Sequence, residues 1–275
     1  MTGGGATAGA HGGETRDGAR EFAALHHRAG APLLLPNAWD HASAAALAAE
    51  GFAAVGTTSL GVAAAAGLPD GAGAAREETL AVARRLGGGA WLLSVDAEGG
   101  FSDDPDEVAS FVGELAGAGA VGVNLEDGRA DGTLTPADVH AAKVAAVKAA
   151  VPGVFVNART DTHWLRPAGP DETGRRLTAY QQAGADGVFV PGLSDPERIA
   201  ALVRTLGVPL NVLYAPDGPT VAELGALGVA RVSLGSLLFR RALGAAVAAA
   251  ADVRAGRRPA GPVPGYDAVQ ALSDV

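Results

Sequence analysis

Short apolar runs recur along this chain and alternate with longer stretches rich in Ala, Leu and Val. Four of them begin in the same way, a few residues after a glycine that ends a helical stretch, at Gly51, Gly119, Gly184 and Gly228. Glycine is favoured there because it takes the left-handed backbone conformation that terminates helices. Continuous apolar runs indicate strands covered on both faces, hence a parallel sheet. The predicted strands are 32–36, 53–57, 91–95, 120–125, 154–158, 187–190, 210–213 and 231–234.

Helix starts are marked as regularly as helix ends. Asp104-Pro105, Thr135-Pro136 and Asp195-Pro196 each combine a capping side chain with a proline, which is tolerated in the first helical turn. Eight strand–helix units in 275 residues fit a closed (β/α)8 TIM-type barrel better than an open doubly wound sheet. No Gly-x-Gly-x-x-Gly follows the first strand, which removes the main reason to expect a dinucleotide fold. We therefore predict an α/β protein of the TIM-barrel type.

The two ends of the chain differ from this pattern. Residues 1–18 are rich in Gly and Ala and contain no Leu, Val, Ile or Phe, so we predict a disordered N-terminal segment. Residues 19–255 form the predicted barrel, and His26 and His27 are expected on the surface of its first helix. Residues 256–275 begin with a Pro- and Gly-rich stretch and form a predicted C-terminal arm.

Composition excludes several classes of function. Lys and Arg number 21 against 30 Asp and Glu, a net charge of −9, which argues against nucleic-acid binding. The chain has no Cys, so disulfides, thiolate nucleophiles and Cys-ligated metal centres are excluded. No uninterrupted apolar stretch approaches the ~18 residues of a membrane span. The N-terminus lacks the apolar core of a signal peptide, and we predict a cytoplasmic protein.

Acidic side chains and one arginine follow neighbouring predicted strands, where the catalytic site of a barrel forms. Asp96 and Glu98 follow the third strand, Glu126 and Asp127 the fourth, and Arg159 ends the fifth. Crowded carboxylates repel one another unless a positive charge lies among them. Oxygen ligands without His or Cys suit a hard cation, so we predict Mg²⁺ or Mn²⁺. The planar guanidinium of Arg159 can grip a carboxylate or a phosphate with two hydrogen bonds.

Other strand ends complete a predicted pocket for a small oxygenated anion. The backbone around Thr58, Ser59 and Leu60 offers N–H donors after the second strand, and Asn211 lies on the seventh. Taken singly, Asp127 and Asp161 are more typical of helix caps or turns, and His163 and Trp164 of ordinary loops. The turn at 233–236 has the Gly and Ser of a phosphate cradle, a weak signal on its own.

Several motifs, taken in order, resemble the isocitrate lyase/phosphoenolpyruvate mutase superfamily from about residue 22 to residue 250. They are Pro-Asn-Ala-Trp-Asp at 36–40, Thr-Thr-Ser-Leu-Gly at 57–61, Gly-Leu-Pro-Asp-Gly at 67–71, Asp-Ala-Glu-Gly-Gly-Phe at 96–101, Asn-Leu-Glu-Asp-Gly at 124–128 and Asn-Ala-Arg-Thr-Asp at 157–161. The resemblance implies an α/β barrel, usually tetrameric, whose last helix is often exchanged with a neighbour. The Ala- and Leu-rich stretch at 237–253 would be that exchanged C-terminal helix.

The resemblance also implies a site and a chemistry. It places Mg²⁺ near Asp96, Glu98 and Glu126, largely through water. Substrate contacts are implied at Ser59, Leu60 and Arg159, and Asp70 falls where relatives carry an active-site aspartate. Members of the superfamily make or break C–C or P–C bonds next to the enolate of pyruvate or a related 2-oxo acid. A cation at the oxo oxygen would stabilise that developing charge.

Two departures from the superfamily pattern shape the functional hypothesis. The segment 128–136 is short and lacks the Cys, Lys and His found after the fourth strand in the lyase branch, and the Lys and Asn of the mutase branch. Glu98 also stands where many relatives have Asp. A proton donor must then come from elsewhere, with Arg129, His163, Tyr214 or a metal-bound water as candidates.

We therefore expect a Mg²⁺-dependent lyase that cleaves a C–C bond in a small 2-oxo or 2-hydroxy dicarboxylate. Decarboxylation of an oxaloacetate-type substrate needs the least acid–base help, and a retro-aldol reaction is also compatible. Three alternatives stay open. They are mutase- or hydrolase-type P–C chemistry, a non-catalytic oxo-acid-binding protein, and an unrelated barrel binding phosphate near Asn211 and Gly235 without a metal. We expect a small carboxylate substrate and a homo-oligomer.

Overall fold

The computed structural model describes residues 11–28, 31–165 and 170–274 and confirms the predicted barrel. Nine parallel strands form one sheet in these residues. They are β1 Leu33–Leu35, β2 Asn37–Ala38, β3 Ala54–Thr57, β4 Leu92–Asp96, β5 Ala120–Glu126, β6 Phe155–Arg159, β7 Gly187–Val190, β8 Leu210–Leu213 and β9 Arg231–Ser233.

Helices follow the strands on the outside of the barrel. They are α1 His11–Leu25, α2 His41–Ala49, α3 Ser59–Ala65, α4 Arg76–Leu86, α5 Pro105–Gly117, α6 Ala137–Ala150, α7 Pro170–Gln182, α8 Pro196–Thr205, α9 Val221–Ala226, α10 Leu237–Arg254 and α11 Tyr266–Gln270, followed by a short 3₁₀ helix, Ala271–Asp274. The predicted caps at Asp104 and Asp195 each accept a hydrogen bond from the first turn of the helix that follows. Apolar side chains such as Val123 and Leu125 pack between the strands and these helices.

The first strand of the barrel is divided into two short strands, β1 and β2, and the barrel closes through them. β1 pairs with β9 and β2 pairs with β3, with Pro36 between them. Proline has no N–H to give to a sheet, so the ladder is interrupted at that residue. Asn37 bridges the closure: its Nδ2 donates to the Thr57 carbonyl at 2.6 Å, and its Oδ1 accepts from the backbone N–H groups of Leu234 and Gly235. The predicted strand at 32–36 therefore extends to residue 38.

Helix α1 closes the N-terminal end of the barrel. The Phe22 ring lies under the barrel against Gly122 and meets Phe155 edge to face at 5.4 Å. His26 stacks on Phe155 at 4.4 Å and is buried, so the prediction that it lies on the surface is wrong. The rings of Phe22, His26 and Phe155 form a cluster that we call the floor of the barrel. The prediction failed because Phe155 lies on a strand more than a hundred residues away from His26. The prediction of disorder for residues 1–18 is corrected for 11–18, which are helical; residues 1–10 lie outside the described residues.

Helix α10 is the least packed element of the barrel. None of its 18 residues is buried in the single chain, and Leu243, Val247 and Val253 are more than half exposed. The chain then returns to its own barrel, where the His41 ring contacts the Leu272 carbonyl at 3.0 Å. The predicted C-terminal arm thus ends on α2. Within the described residues, none of the helices is both long and apolar enough to cross a membrane.

Candidate active site

A cavity of about 270 Å³ opens at the carboxyl ends of the strands. It brings together most of the side chains singled out in the sequence, which come from loops far apart along the chain. The predicted residues on its wall are Thr58, Ser59, Leu60, Asp70, Asp96, Glu126 and Arg159. The mouth of the barrel therefore carries both the acidic groups and the guanidinium on one surface.

Asp96 is held by the neighbouring strand and the helix after it. Its backbone N–H donates to Thr57 Oγ1 at 2.8 Å, and its Oδ2 accepts from the Ser59 N–H at 3.3 Å. Its Oδ1 is buried and has no partner within the described residues. Burial raises the pKa of Asp96 above its ordinary value, and the Arg159 guanidinium opposes that rise. Asp96 Oδ1 is therefore open to a cation or to a donor group of a ligand.

Arg159 is anchored on two sides. Its Nε and Nη2 donate to Asp161 Oδ1 and Oδ2 at 2.6 and 3.1 Å, and its Nη1 lies 2.6 Å from Glu126 Oε2. Burial opposes its charge, but Glu126, Asp161 and Asp96 outweigh burial and raise the pKa of Arg159 above its ordinary value. The guanidinium stays charged, Nη2 keeps one unused N–H, and Nη1 makes no aligned hydrogen bond with the described residues.

The two glutamates lie in different surroundings. Burial raises the pKa of Glu126 well above its ordinary value, against the opposing charge of Arg159. Its Oε2 contacts Arg159 as an ion pair that lacks hydrogen-bond alignment. Glu98 lies on a neighbouring cavity of about 420 Å³, where its Oε2 accepts from the Gly73 N–H at 3.0 Å. Burial raises the pKa of Glu98 to about 7, and the charges of Asp70 and Asp96 add to that rise.

Two of the three predicted metal ligands keep a buried carboxylate oxygen with no partner among the described residues, Asp96 Oδ1 and Glu98 Oε1, whereas Glu126 Oε2 is already paired with Arg159 Nη1 at 2.6 Å. Such oxygens are costly to bury unless a cation or a donor reaches them. No three acidic or His side chains of the described residues converge tightly enough to form a preassembled metal-binding group. The donor set therefore fits a hard cation that retains much of its water.

A buried network behind the wall fixes Asp161. Asp127 is fully buried; its Oδ2 accepts from Tyr180 Oη at 2.6 Å and from Arg176 Nη1 at 3.0 Å. Its Oδ1 accepts from the Asp161 N–H at 2.9 Å. Asp127 thus fixes the position of Asp161, and Asp161 in turn fixes the Arg159 guanidinium. The sequence treated both aspartates as caps or turns and missed this chain of contacts, which depends on helix α7.

The structure does not bring the Asn211 side chain to the wall of this cavity. Asn211 is buried, does not reach the cavity wall, and exchanges hydrogen bonds with Ser233 Oγ. The backbone N–H groups of Leu234 and Gly235 are already taken by Asn37. Two of the backbone donors in the turn at 233–236 are therefore not available to a phosphate.

The short segment after β5 forms a compact hairpin at the rim. Gly128 and Leu134 form an antiparallel bridge, and Arg129 Nη2 lies 3.0 Å from both carboxylate oxygens of Asp103. Arg129 lines the cavity, whereas His163 and Tyr214, the other candidate proton donors, do not reach its wall.

Three residues of the wall were missed or undervalued in the sequence. Asn37 and Asn124 lie on the inner face of their strands; both belong to motifs of the sequence, and Asn37 follows a predicted strand, but neither was assigned a role. Trp164, expected to be an ordinary loop residue, lies at the rim with 58% of its surface exposed. Asn124 opens the motif at 124–128, but it precedes the strand end by two residues, so the strand-end rule does not select it.

Comparisons with known proteins agree with this architecture. The model of the phosphoenolpyruvate phosphomutase family matches residues 22–254. An uncharacterised protein of Mycobacterium tuberculosis is 48% identical over 251 residues, which cover 91% of this chain and 95% of that protein. The phosphoenolpyruvate phosphomutase of Streptomyces hygroscopicus is 30% identical, covering 88% of this chain and 80% of its own. A crystal structure from Burkholderia cenocepacia, described only by the class lyase/mutase, is 36% identical, with a TM-score of 0.85 over 94% of this chain and 96% of the other.

Other relatives have names that refer to C–C chemistry. A Bradyrhizobium protein called oxaloacetate decarboxylase is 30% identical over 54% of each chain. A Bacillus subtilis protein called 2-methylisocitrate lyase is 31% identical over 68% of this chain and 64% of its own. The relatives therefore include lyases and a mutase built on one scaffold.

Proposed function

Since this chain belongs to the phosphoenolpyruvate mutase family of the isocitrate lyase superfamily, we propose that it is a divalent-metal-dependent carbon–carbon lyase. Its substrate would be a small 2-oxo or 2-hydroxy dicarboxylate, cleaved through a pyruvate-like enolate. The observation that carries the proposal is the single cavity shared by Asp96, Glu126 and the Arg159 guanidinium. Carboxylates with unsatisfied oxygens and a guanidinium with unused N–H groups are complementary to a cation and an organic anion bound together.

Asp96, Glu98 and Glu126 would hold Mg²⁺ or Mn²⁺, largely through water. When bound, the ion would supply the positive charge that lowers the energy of the enolate oxygen. Arg159 would bind the substrate carboxylate with its outer N–H groups, while Asp161 and Glu126 keep the guanidinium from turning away.

The residues that follow β3 would orient the other end of the substrate. Thr58 caps helix α3, and Ser59 and Leu60 begin it, so their backbone lies on the cavity wall at the end of β3. For a 2-hydroxy substrate, the Asp70 carboxylate on the same wall would accept the hydroxyl proton as the C–C bond breaks. For a 2-oxo substrate, decarboxylation leaves an enolate, whose carbon would take a proton from water entering the open mouth.

The test is turnover by the purified protein with Mg²⁺ of oxaloacetate, 2-methylisocitrate and phosphonopyruvate, followed by ¹H and ³¹P NMR. We expect carbon–carbon cleavage to give pyruvate or a related 2-oxo acid. Asp96→Ala should abolish turnover, whereas Asp138→Ala, which removes an exposed carboxylate from α6, should not. Unchanged turnover in Asp96→Ala would remove the proposed site. Phosphorus products alone would favour P–C chemistry, and oxalate binding without any turnover would favour a binding protein.

We also propose a homo-oligomer that exchanges helix α10. The support is that none of the residues of this helix is fully buried in its own chain, while Leu243 and Val247 are more than half exposed. Apolar residues in such a row are typical of a helix that packs against another chain.

A further inference from the structure

The interior of this barrel is polar where TIM barrels usually pack branched aliphatic side chains. Asn124, Asn157 and Arg231 point inward and are almost fully buried. Arg231 makes no ion pair with a carboxylate among the described residues, and its Nη1 has no partner. Burying a charge without an ionic partner costs free energy unless hydrogen bonds compensate it.

Arg231 determines which way the Asn124 amide points. Its Nη2 donates to Asn124 Oδ1 at 3.2 Å, and Asn157 Nδ2 donates to the same oxygen at 2.9 Å. A guanidinium has only donors, so the Asn124 atom that faces it must be the oxygen. Burial lowers the pKa of Arg231 to about 9, with the Asp96 charge opposing, so the guanidinium is still charged at neutral pH.

The other half of the Asn124 amide is left for a ligand. Asn124 lines the cavity, and its Nδ2 has no acceptor in the part of the chain that the structure describes. In the β-ladders, Asn124 pairs with Asp96 of β4 on one side and with Asn157 of β6 on the other. Glu126 follows it by two residues and faces the same interior. The free N–H groups thus lie beside two of the proposed metal ligands.

We propose that Asn124 Nδ2 donates a hydrogen bond to an anionic oxygen of the bound 2-oxo acid, and that Arg231 is the positioning residue that holds the amide in this orientation. The proposal deepens the proposed function and rests on it. Asn124 itself cannot serve as a metal ligand here, because its only ligating atom, Oδ1, already accepts two hydrogen bonds.

The arrangement has a clear electrostatic benefit. Asp70, Asp96 and Glu126 make the wall acidic, and an amide turned the other way would present one more acceptor to the substrate anion. A fixed N–H donor adds attraction for the oxygen without adding an ionisable group. Donors preorganised around a developing negative charge typically contribute about 10²–10³ in rate.

Asn124→Asp is the first test, since it keeps the shape, replaces the donor by an acceptor and leaves Arg231 with an acceptor to pair with. We expect kcat to fall about 10²–10³-fold, with the affinity for oxalate in the presence of Mg²⁺, measured by calorimetry, falling about tenfold or more. Asn124→Ser, which retains a hydroxyl donor, should lose less than Asn124→Ala. Ser94→Ala, one layer deeper on β4 and off the cavity wall, is the matched control and should keep its activity.

The role of Arg231 is tested by a double-mutant cycle. Arg231→Lys keeps the charge but loses the planar fork, so kcat should fall in the wild-type background. In the Asn124→Ala background the same change should cost little further in kcat, because Arg231 acts through the amide. A purely structural role would instead lower the melting temperature equally in both backgrounds and leave the kcat effects additive.

The outcomes separate this inference from the proposed function. Wild-type turnover or oxalate binding that survives unchanged in a folded Asn124→Asp overturns the inference alone. A wild-type protein that neither turns over 2-oxo acids nor binds oxalate with Mg²⁺ overturns the proposed function, and the inference with it. Additive effects in the cycle overturn the assignment of Arg231.

Discussion

The clamp on Arg159 offers a prediction whose size follows from burial. Asp161 is 3% exposed in its side chain and accepts from Arg159 Nε and Nη2 in parallel. Asp161→Asn preserves the shape and the backbone N–H that Asp127 accepts, but it removes the negative charge and one of the two acceptors. Arg159 then keeps only Glu126 as a charged partner.

Breaking a buried ion pair by removing one partner costs about 3–5 kcal/mol. The remaining contact with Glu126 and the retained Asn oxygen place this case at the low end, about 3 kcal/mol. For a domain of this size that corresponds to a fall in melting temperature of roughly 6–12 °C. The guanidinium also loses its fixed direction, and a misplacement of that kind costs about 10² in turnover.

The assay is differential scanning calorimetry of the metal-free protein together with kcat/KM for the substrate identified above. The control is Glu114→Gln, which breaks a contact at 2.7 Å with Arg76 where both side chains are nearly two-fifths exposed. That change should cost less than about 1 kcal/mol, because solvent screens the pair and Arg76 keeps Glu77. If Asp161→Asn melts with the control and turns over like wild type, the clamp has no energetic role and the reasoning is refuted.

Two further predictions concern the floor of the barrel and the exposed helix. Burial lowers the pKa of His26 from 6.5 to about 3, so below pH 6.5 the unfolded chain takes up a proton that the folded chain excludes. The free energy of unfolding should therefore fall as the pH drops from 6.5 toward 3, by up to about 1.4 kcal/mol per pH unit. Denaturant titrations at several pH values should show a weaker pH dependence in His26→Phe, which keeps the stack on Phe155. An equal pH dependence in the two proteins would contradict this role of His26. Val247→Glu in α10 should lower the assembly mass in multi-angle light scattering without changing the circular dichroism, and an unchanged mass would exclude Val247 from an interface.

The strand–helix order was predictable because its signals are local. Glycine at Gly51 and Gly184, proline after Asp104, and unbroken apolar runs each act within a few residues. The barrel rule then placed Asp96 and Arg159 at one mouth without any knowledge of distances. Contacts set by distant elements were not predictable in this way. His26 was assigned to the surface because nothing near it announces Phe155.

The same limit applies to details of the site. Glu98 follows Asp96 by two residues, which suggests a shared face, but the backbone turns into the left-handed region at Glu98, with φ of +47°. The turn carries its side chain into the neighbouring cavity. Asn211 lies on a strand of the barrel, as the strand-end rule requires, but its side chain forms hydrogen bonds with Ser233 instead of lining the cavity. Spacing along the sequence finds candidate groups, and only the packing shows which of their atoms remain free.

The pairing of the first strand, β1, with the last strand, β9, has a consequence for the rate of folding. β1 pairs Leu33 with Arg231, so the final ladder joins the two ends of the barrel sequence. Contacts of such long range slow folding, because the entropy of closing the loop is lost before any packing compensates it. A nascent chain cannot form this ladder until residue 231 has been synthesised. Arg231 lies on that last strand, so its contact with the Asn124 amide on β5 also joins segments more than a hundred residues apart.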